Sequence, residues 1–278
     1  MKQGCSMAEG PARKGRTAVR LEVLRKEHLT PHMIRIVAGG EGLKEFRPNE
    51  FTDAYVKVIF KVPGVEYPEP FDLNRIREEL PREHAPRLRT YTVRSYDEAA
   101  GELVLDFVVH GDEGLAGPWA QSAQPGDELL LAGPGGAYAP RADAGWHLLV
   151  GDESAVPAIA AALEALPPGA LAHVFLLVAD ESEHQPLATK ADAQVTWLHR
   201  SASDDLVAAV KGLPWPDRDV HAFVHGEAGF VRELRRYLFD ERGVARDAVS
   251  LSGYWREGKN DEAWREEKAA ERKAASTA

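Results

Sequence analysis

The strongest constraint on the fold is a change of sequence pattern near Gly145. Before this point, short alternating or β-branched runs are separated by clusters of Gly and Pro. These runs lie at 19–23, 33–37, 55–60, 103–109 and 129–131. Many short strands with frequent turns and few helical stretches predict a small antiparallel β-barrel.

After Gly145, short apolar strands alternate with helical segments. The predicted strands lie at 147–150, 174–178, 195–198, 220–224 and 248–253. One helix is predicted directly after the first strand, and two more at 204–211 and 227–242. This alternation is typical of a doubly wound α/β domain built on a parallel sheet.

The chain of 278 residues is therefore predicted to contain two domains. We expect a disordered lead at 1–16, a barrel domain at 17–143, an α/β domain at 144–258, and a C-terminal helix and tail at 259–278. The segment 67–86 is rich in Pro and charged residues, which predicts a long surface loop.

Composition disfavours several classes of function. The chain has 34 Lys and Arg against 44 Asp and Glu, and the resulting net charge of −10 disfavours binding to nucleic-acid backbones. Cys5 is the only cysteine, so neither a disulfide framework nor a cysteine-based metal site is predicted. The sequence has no apolar run near the roughly 18 residues of a membrane helix, and residues 1–16 lack a signal-like stretch. We therefore expect a cytoplasmic protein without a membrane partner.

Residues 89–94 read RTYTVR and form the most informative motif. In a strand, alternation places Arg89, Tyr91 and Val93 on one face and Thr90, Thr92 and Arg94 on the other. A flavin site needs such groups: an arginine for the pyrophosphate, an aromatic ring over the isoalloxazine, and a hydroxyl near the reactive edge. An amphipathic edge strand with exposed arginines has the same pattern, so the motif requires support from other segments.

The segment 106–117 supplies that support as a predicted strand and a glycine-rich turn, followed by a short helix that starts at Pro118. Small residues at the start of a helix let backbone N–H groups approach a phosphate. The alternative is an ordinary hairpin exit with Trp119 in the core. Because the segment comes one strand after RTYTVR, we favour a phosphate-binding turn.

Two loops of the α/β half follow predicted strands directly and open helices. They contain Gly151, Asp152, Glu153 and Ser154 in the first loop, and His225, Gly226 and Glu227 in the second. Doubly wound folds bind nucleotides at the carboxyl ends of their strands, so these are the candidate nucleotide-binding residues. Neither loop has the GxGxxG fingerprint, and each alone is a weak signal.

No metal site and no protein nucleophile is predicted. His28 and His32 are four residues apart, but strand residues and Pro31 surround them, which argues against a helical metal pair. Ser154 lies in the run DESA rather than in a GxSxG turn, so the sequence has no nucleophile elbow.

Together these motifs resemble those of the siderophore-interacting proteins, a family of FAD-dependent ferric-siderophore reductases related to ferredoxin–NADP reductases. The matching runs are DAYVK at 53–57, RTYTVR at 89–94, DFVVHG at 106–111, GDESAVPAI at 151–159, VHGEAG at 224–229 and SGYWREG at 252–258, with Asp261, Glu262 and Trp264. The resemblance implies an N-terminal FAD-binding barrel and a C-terminal nucleotide-binding domain, a ferredoxin-reductase-like fold. Leu115 and Pro118 depart from the family pattern, so the phosphate turn is expected to differ slightly in shape.

By this resemblance, FAD is held by three groups of residues. They are Arg89, Thr90, Tyr91 and Thr92; then Asp106, Phe107, Val108, Val109 and His110 with Gly114, Leu115, Ala116 and Gly117; and finally Gly253, Tyr254, Trp255 and Arg256. The third group is implied to close over the flavin from the other domain. The flavin then carries the chemistry, and no protein group acts as a catalytic residue.

The implied function is cytoplasmic reduction of a ferric siderophore with electrons from NAD(P)H or a ferredoxin. Two alternatives stay open: a general flavin or ferredoxin reductase on the same fold, and a non-catalytic siderophore-binding protein. An anionic ferric siderophore needs a local positive surface on so acidic a protein. The candidates are Lys57, Arg141, Arg256 and Lys259. Lys57 and Arg256 resemble the family's basic substrate site, whereas Arg141 is chosen for its predicted position near the domain junction.

The electron donor is predicted from the loop after the strand 174–178. Residues 179–183 read ADESE, and acidic groups there disfavour a 2′-phosphate. The loop therefore favours NADH over NADPH. Lys190 or Arg200 would offset the acids if either folded close to them.

Overall fold

Six antiparallel strands close into a barrel in the order β1-β2-β5-β4-β3-β6, as predicted. The computed structural model describes residues 17–109, 111, 114–259, 263, 264, 267, 268 and 270. The barrel strands are β1 (Val19–Thr30), β2 (Met33–Gly39), β3 (Tyr55–Phe60), β4 (Arg87–Asp97), β5 (Glu102–Val108) and β6 (Glu128–Gly135). The predicted disordered lead, the candidate His110 and most of the predicted C-terminal helix lie outside the described residues.

Alternation along the strands builds the barrel core. In β1, Val19, Leu21 and Val23 are buried, and the residues between them are exposed. Ile36 of β2 and Leu105 of β5 are completely buried in the same core. Each such side chain contributes about 1.5–3 kcal/mol when it leaves water, and a slip of one residue would turn all of them outward. The apolar pattern therefore fixes the register of the barrel.

The segment 67–86 is predicted to be a long surface loop, but in the structure it also contains the helix α1 (Leu73–Glu79). Asp72 caps this helix by accepting hydrogen bonds from two backbone N–H groups of its first turn. Leu73 and Ile76 are buried against Ile59 on the outer face of the barrel. The prediction of a loop was wrong here. One apolar pair is enough to bury a face of so short a helix, and a single pair leaves no clear helical pattern in the sequence.

The second domain has a five-stranded parallel sheet in the order β11-β10-β7-β8-β9. Its strands are β7 (Trp146–Asp152), β8 (Leu171–Val178), β9 (Asp192–His199), β10 (Val220–Glu227) and β11 (Val249–Trp255). Two further helices, α3 (Val156–Ala165) and α4 (Leu206–Lys211), pack on opposite faces of the sheet. The helix α2 (Ala116–Ser122) lies between β5 and β6 of the barrel domain. The predicted doubly wound arrangement is confirmed.

Helix α5 (Ala228–Arg236) packs on the same face as α4. It is shorter than the predicted helix at 227–242, because the chain continues from it as a π-helical turn (Tyr237–Glu241). Among the residues that the structure describes, no helix combines the length and apolar character needed to cross a membrane.

Polar contacts join the barrel to the second domain on two flanks. Arg94 of β4 donates two hydrogen bonds to the carboxylate of Glu164 in α3, at 3.0 and 2.5 Å. At the hairpin between β1 and β2, Thr30 Oγ1 donates to Glu183 Oε2 at 2.5 Å. His32 Nδ1 lies 2.6 Å from the other oxygen of the same carboxylate. The loop after β8 is therefore attached to the barrel.

Candidate functional site

Strand β4 carries the predicted flavin-binding side chains. Arg89 and Tyr91 lie opposite Val58 and Val56 of β3. One face of the Tyr91 ring packs against Phe107, with ring centroids 4.2 Å apart, and the side chain remains half-buried. The strand therefore presents a guanidinium group and an aromatic ring on one face, which matches the predicted alternation.

The sequence predicts that Asp106 and Phe107 contact FAD, and in the structure each makes a contact within the barrel domain. The carboxylate of Asp106 is buried and accepts two hydrogen bonds from Arg35 of β2, at 2.7 and 2.8 Å. These hydrogen bonds raise the pKa of Arg35, so its guanidinium group stays charged. Phe107 is completely buried in the core. Alternation along β5 explains these contacts, because Phe107 points into the barrel and Asp106 lies on the opposite face, across from Arg35 of β2.

The turn after β5 contains two glycines in a backbone conformation that other residues rarely adopt. Gly111 and Gly114 have φ angles of 58° and 86°, a region that glycine adopts at little cost. The helix α2 (Ala116–Ser122) begins two residues earlier than predicted, and Leu115 before it provides no side-chain cap. The first backbone N–H groups of α2 therefore lack the side-chain acceptor that usually caps a helix.

Tyr254 of β11 extends from the second domain to β4, the strand with the predicted flavin-binding residues. Its hydroxyl contacts the side chain of Thr92 and lies 3.0 Å from Nδ1 of His225. Burial raises the pKa of Tyr254, and nearby Asp53 raises it further, so the hydroxyl stays protonated. This contact brings the C-terminal strand of one domain to β4 of the other.

His225 was predicted to bind nucleotide, but both of its ring nitrogens are engaged within the protein. Nδ1 faces the hydroxyl of Tyr254, and Nε2 lies 2.8 Å from Ser250 Oγ. The residue is 3% exposed, and burial lowers its pKa to about 3. The neutral imidazole therefore holds Tyr254 in place and is not available to a phosphate.

Asp152 joins the loops that follow three neighbouring strands. Its Oδ2 accepts the backbone N–H of Glu227 at 2.7 Å and the indole N–H of Trp255 at 2.8 Å. Its Oδ1 accepts the backbone N–H and the hydroxyl of Ser154. Burial raises the pKa of Asp152 to about 6. The sequence predicts that Asp152 contacts nucleotide, but the structure buries its carboxylate beneath the carboxyl edge of the sheet.

The other predicted nucleotide-binding residues shape or border the same edge. A Cβ on Gly226 would lie 2.6 Å from the Asp152 carboxylate, and one on Gly151 would lie 2.6 Å from Ala155, so glycine permits the close approach of both loops. Glu227 caps α5 by accepting two of its backbone N–H groups. Glu153 pairs with Arg200, with nitrogen and oxygen 2.8 Å apart.

The predicted substrate-binding cations do not form one cluster. Lys57 donates a hydrogen bond to Thr90 on the neighbouring strand and lies over the ring of Tyr55. Arg256 and Lys259 share the carboxylate of Glu267, at 3.7 and 2.5 Å.

Arg141 belongs elsewhere in the protein. Its guanidinium lies 3.7 Å from both Asp143 and Asp219, and its backbone N–H donates to His221 near the amino end of β10. Gly253, Tyr254 and Arg256 lie at or beyond the carboxyl end of the adjacent strand. Arg141 therefore lies toward the opposite end of this sheet from these three residues.

Sequence reasoning missed several residues that support the site. Arg35 pairs with Asp106 across 71 positions of sequence, and Glu183 reaches Thr30 across 153, so no local pattern reveals either contact. Asp53, in the DAYVK run, has a buried carboxylate that accepts two backbone N–H groups after β6, at 2.8 Å each. Within the described part of the chain, no group of three or more His, Cys, Asp or Glu residues is arranged to hold a metal.

These features fit a flavin dinucleotide. Tyr91 offers a half-buried ring, Arg89 lies on the same face of the strand, and α2 begins without a side-chain cap. The barrel followed by a parallel sheet is the ferredoxin-reductase-like fold, and the barrel matches an FAD-binding domain. The protein is thus an FAD-dependent oxidoreductase.

The chain belongs to the siderophore-interacting protein family. Residues 22–138 match the siderophore-interacting FAD-binding domain, and residues 144–258 match the siderophore-interacting protein model. The ferric vibriobactin reductase of Vibrio cholerae is 36% identical over 89% of this chain and 93% of its own length. An NADPH-dependent ferric-chelate reductase of Escherichia coli is 34% identical over 84% of this chain and 91% of its own length. The crystal structure of a siderophore utilization protein from T. fusca is 36% identical, with a TM-score of 0.75 and coverage of 88% of this chain and 94% of that one.

Proposed function

We propose that the protein reduces the iron of ferric siderophores with electrons that NADPH or NADH delivers through FAD. The observation that carries the proposal is the contact between Thr92 of β4 and Tyr254 of β11. This contact brings β4, the strand with the predicted flavin-binding residues, to the carboxyl edge of the second sheet, where doubly wound folds bind nucleotides. The relatives named as ferric vibriobactin reductase and ferric-chelate reductase support the same activity.

The chain's own residues bind and orient the reactants in this proposal. Arg89 pairs with the pyrophosphate of FAD, Tyr91 stacks on its ring system, and the first N–H groups of α2 receive phosphate oxygens. Bound FAD supplies the redox chemistry, because it accepts two electrons together and releases them singly. Tyr254, held by His225, excludes water from the side of the site formed by the second domain.

The substrate is bound by positive charge in this proposal. Ferric siderophores that carry negative charge would contact Lys57 and Arg256, which occupy positions that resemble the family's basic substrate site. Reduction lowers the charge of the iron, so oxygen ligands hold it less tightly and release Fe(II). A ferredoxin is the alternative donor, and a cytoplasmic location remains a prediction of the sequence.

An anaerobic absorbance titration tests the function. The FAD-loaded protein is mixed with NADPH or NADH. The absorbance of the oxidised flavin at about 450 nm is then followed as it decreases. A ferric catecholate siderophore is then added with an Fe(II) chelator. We expect bleaching by the nucleotide, recovery of the flavin band on adding the siderophore, and Fe(II) in proportion.

Each alternative gives a different result in that titration. Bleaching without recovery by any ferric siderophore contradicts ferric reduction and favours a general flavin reductase. No bleaching by either nucleotide, with siderophore binding intact, points to a ferredoxin donor or to a siderophore carrier. Free flavin with the same nucleotides serves as the control for reduction in solution.

A further inference from the structure

A carboxylate near the C-terminus lies against two of the cations that are predicted to bind substrate. Glu267 Oε2 accepts a hydrogen bond from Lys259 Nζ at 2.5 Å, and Glu267 Oε1 lies 3.7 Å from Arg256 Nη1. The hydrogen bond from Lys259 is the main cause of the lowered pKa of Glu267, so this carboxylate is charged at neutral pH. A negative charge of the protein itself therefore lies where an anionic ligand would contact these cations.

Two neighbours of Glu267 attach it to the edge of the second sheet. Trp264 is 5% exposed, and its indole N–H donates to the carbonyl of Tyr254 at 3.1 Å. The Nζ of Lys268 donates to the carbonyl of Gly253 at 2.6 Å. Trp264, Glu267 and Lys268 have helical backbone, in which residues three and four positions apart lie on one face. Because its neighbours already hold it in place, the carboxylate loses little conformational freedom when it pairs with the cations.

The guanidinium group of Arg256 has an unsatisfied donor beside this carboxylate. Its Nη1 atom is buried and makes no hydrogen bond within the part of the chain that the structure describes. The distance of 3.7 Å to Glu267 is too long for a hydrogen bond. A buried donor without an acceptor costs free energy, which is recovered when a ligand oxygen approaches to about 2.7–2.9 Å. This atom therefore indicates a position for an anionic oxygen that Glu267 does not fill.

An anionic ligand and Glu267 compete for the same two cations. A ligand oxygen at Arg256 Nη1 gains the missing hydrogen bond, but the charge of the ligand is repelled by the carboxylate that remains nearby. The repulsion is modest, because the groups are partly exposed and solvent screens them. An uncharged ligand does not meet this repulsion. The carboxylate therefore disfavours anionic ligands selectively, as unfavourable contacts do in other specific sites.

We propose that Glu267 is a specificity-determining residue, which weakens the binding of anionic ferric siderophores relative to uncharged ones by competing for Arg256 and Lys259. The inference rests on the proposed function, because it takes a ferric siderophore as the ligand of these cations. Glu267 acts through the two cations and takes no part in electron transfer. The alternative is an ion pair that only stabilises the C-terminal segment, in which case its removal leaves ligand affinity unchanged.

Equilibrium titration with two ferric siderophores of different charge tests the proposal without electron transfer. The probes are ferric enterobactin, a trianionic catecholate, and ferrichrome, an uncharged hydroxamate. Their binding to the FAD-loaded protein is followed by quenching of tryptophan fluorescence. We expect Glu267→Gln to tighten binding of ferric enterobactin by about two- to fivefold at low salt, and to leave binding of ferrichrome unchanged. Glu257→Gln makes the same change of charge at an exposed residue next to Arg256 and should alter neither affinity.

A second variant shows whether the effect depends on the cations. In protein that carries Arg256→Gln, the gain from Glu267→Gln should be smaller, because one of the two cations is missing. Steady-state reduction gives a further readout that a merely structural ion pair would not change. Glu267→Gln should lower the KM for ferric enterobactin and leave kcat unchanged, since the carboxylate affects binding alone.

Three results overturn the proposal. Equal affinity of wild type and Glu267→Gln for ferric enterobactin means that the ion pair is only structural. An equal gain in Glu257→Gln means that net charge alone acts, and an equal gain for ferrichrome means that the variant merely opens the site. If neither siderophore binds to any of these proteins, the proposed function fails together with this inference. If affinities change as expected but no Fe(II) forms on reduction, the role of Glu267 is supported and ferric reduction is contradicted.

Discussion

The indole N–H of Trp255 donates to Oδ2 of Asp152 at 2.8 Å, and this bond fixes the end of β11 to the end of β7. These strands are not neighbours, because β10 lies between them. The same carboxylate also holds the start of α5 through the backbone of Glu227. A single buried side chain therefore sets the relative positions of the loops at the carboxyl edge.

The first prediction concerns the stability cost of that buried charge. Burial raises the pKa of Asp152 from 3.8 to about 6, so the folded protein binds a proton that the unfolded chain has already lost between these pH values. Stability from this group is therefore greatest at low pH and falls as the pH rises through about 6. The full cost at neutral pH is about 3 kcal/mol, of which about 1–2 kcal/mol develops between pH 5 and 7.5.

Urea unfolding at pH 5 and 7.5 measures this effect by comparing wild type with Asp152→Asn. We expect the wild type to lose stability relative to the variant as the pH rises. Asp143→Asn, a change at an exposed aspartate, serves as the control and should follow the wild type. Parallel curves for wild type and Asp152→Asn would show that the carboxylate does not titrate in this range.

The second prediction is that Arg89→Ala and Tyr91→Ala each weaken FAD binding. Loss of Arg89 leaves a phosphate charge unpaired, and loss of Tyr91 removes stacking worth about 0.5–1.5 kcal/mol. Affinity is measured by quenching of flavin fluorescence on addition to the apoprotein. Arg87→Ala changes an exposed arginine two residues earlier on the same strand and should leave affinity unchanged. Unchanged affinity in both site variants is incompatible with FAD on this face of β4.

The third prediction is that Lys57→Ala and Arg256→Ala raise the KM for anionic ferric siderophores. Removing one interaction of about 1 kcal/mol corresponds to a change of about fivefold. Salt should weaken wild-type binding more than binding by either variant, because screening acts on the charges that were removed. Arg141→Ala is the matched control and should keep the wild-type KM, since Arg141 lies beside Asp143 and Asp219. If the Arg141 change has the largest effect, the substrate binds elsewhere.

The fourth prediction concerns the attachment of the β8 loop to the barrel. Glu183→Gln removes the charge that accepts from Thr30 and contacts His32, and hydrogen bonds to charged groups contribute about 1.5–3 kcal/mol. We expect amide exchange at residues 30–33 to accelerate at least about tenfold, as followed by hydrogen-exchange mass spectrometry. Glu181→Gln changes an exposed acid of the same turn and should have no effect. Unaltered exchange in the Glu183 variant would mean that the hairpin is held by other contacts.

The sequence predicted those parts of the fold that depend on short-range periodicity. Strand β1 alternates with a period of two, and strands β7 and β10 are continuously apolar. Both patterns identify strands and their buried faces from the sequence alone. The helix α1 was missed because its buried face has only Leu73 and Ile76, within a charged segment.

Side-chain roles were predicted less well than strands, because they depend on partners far along the chain. His225 looks like a loop residue facing a phosphate, and only the folded protein shows Ser250 and Tyr254 against its two nitrogens. The predicted position of Arg141 came from its nearness in sequence to the domain junction. In the structure, the hydrogen bond from its backbone N–H to His221 of β10 fixes its position. Residue type indicates the chemistry that is possible, and tertiary contacts decide which of it is used.

The contact between Thr30 and Glu183 has a consequence for the order in which the chain folds. The two residues are 153 positions apart, so the loop between them must close before their hydrogen bond can form. All six barrel strands end by Gly135, whereas Glu183 lies beyond the first two strands of the sheet. During synthesis, the barrel can therefore close while the second domain is still being made. The docking of the two domains is then expected to be a separate, later kinetic phase of folding.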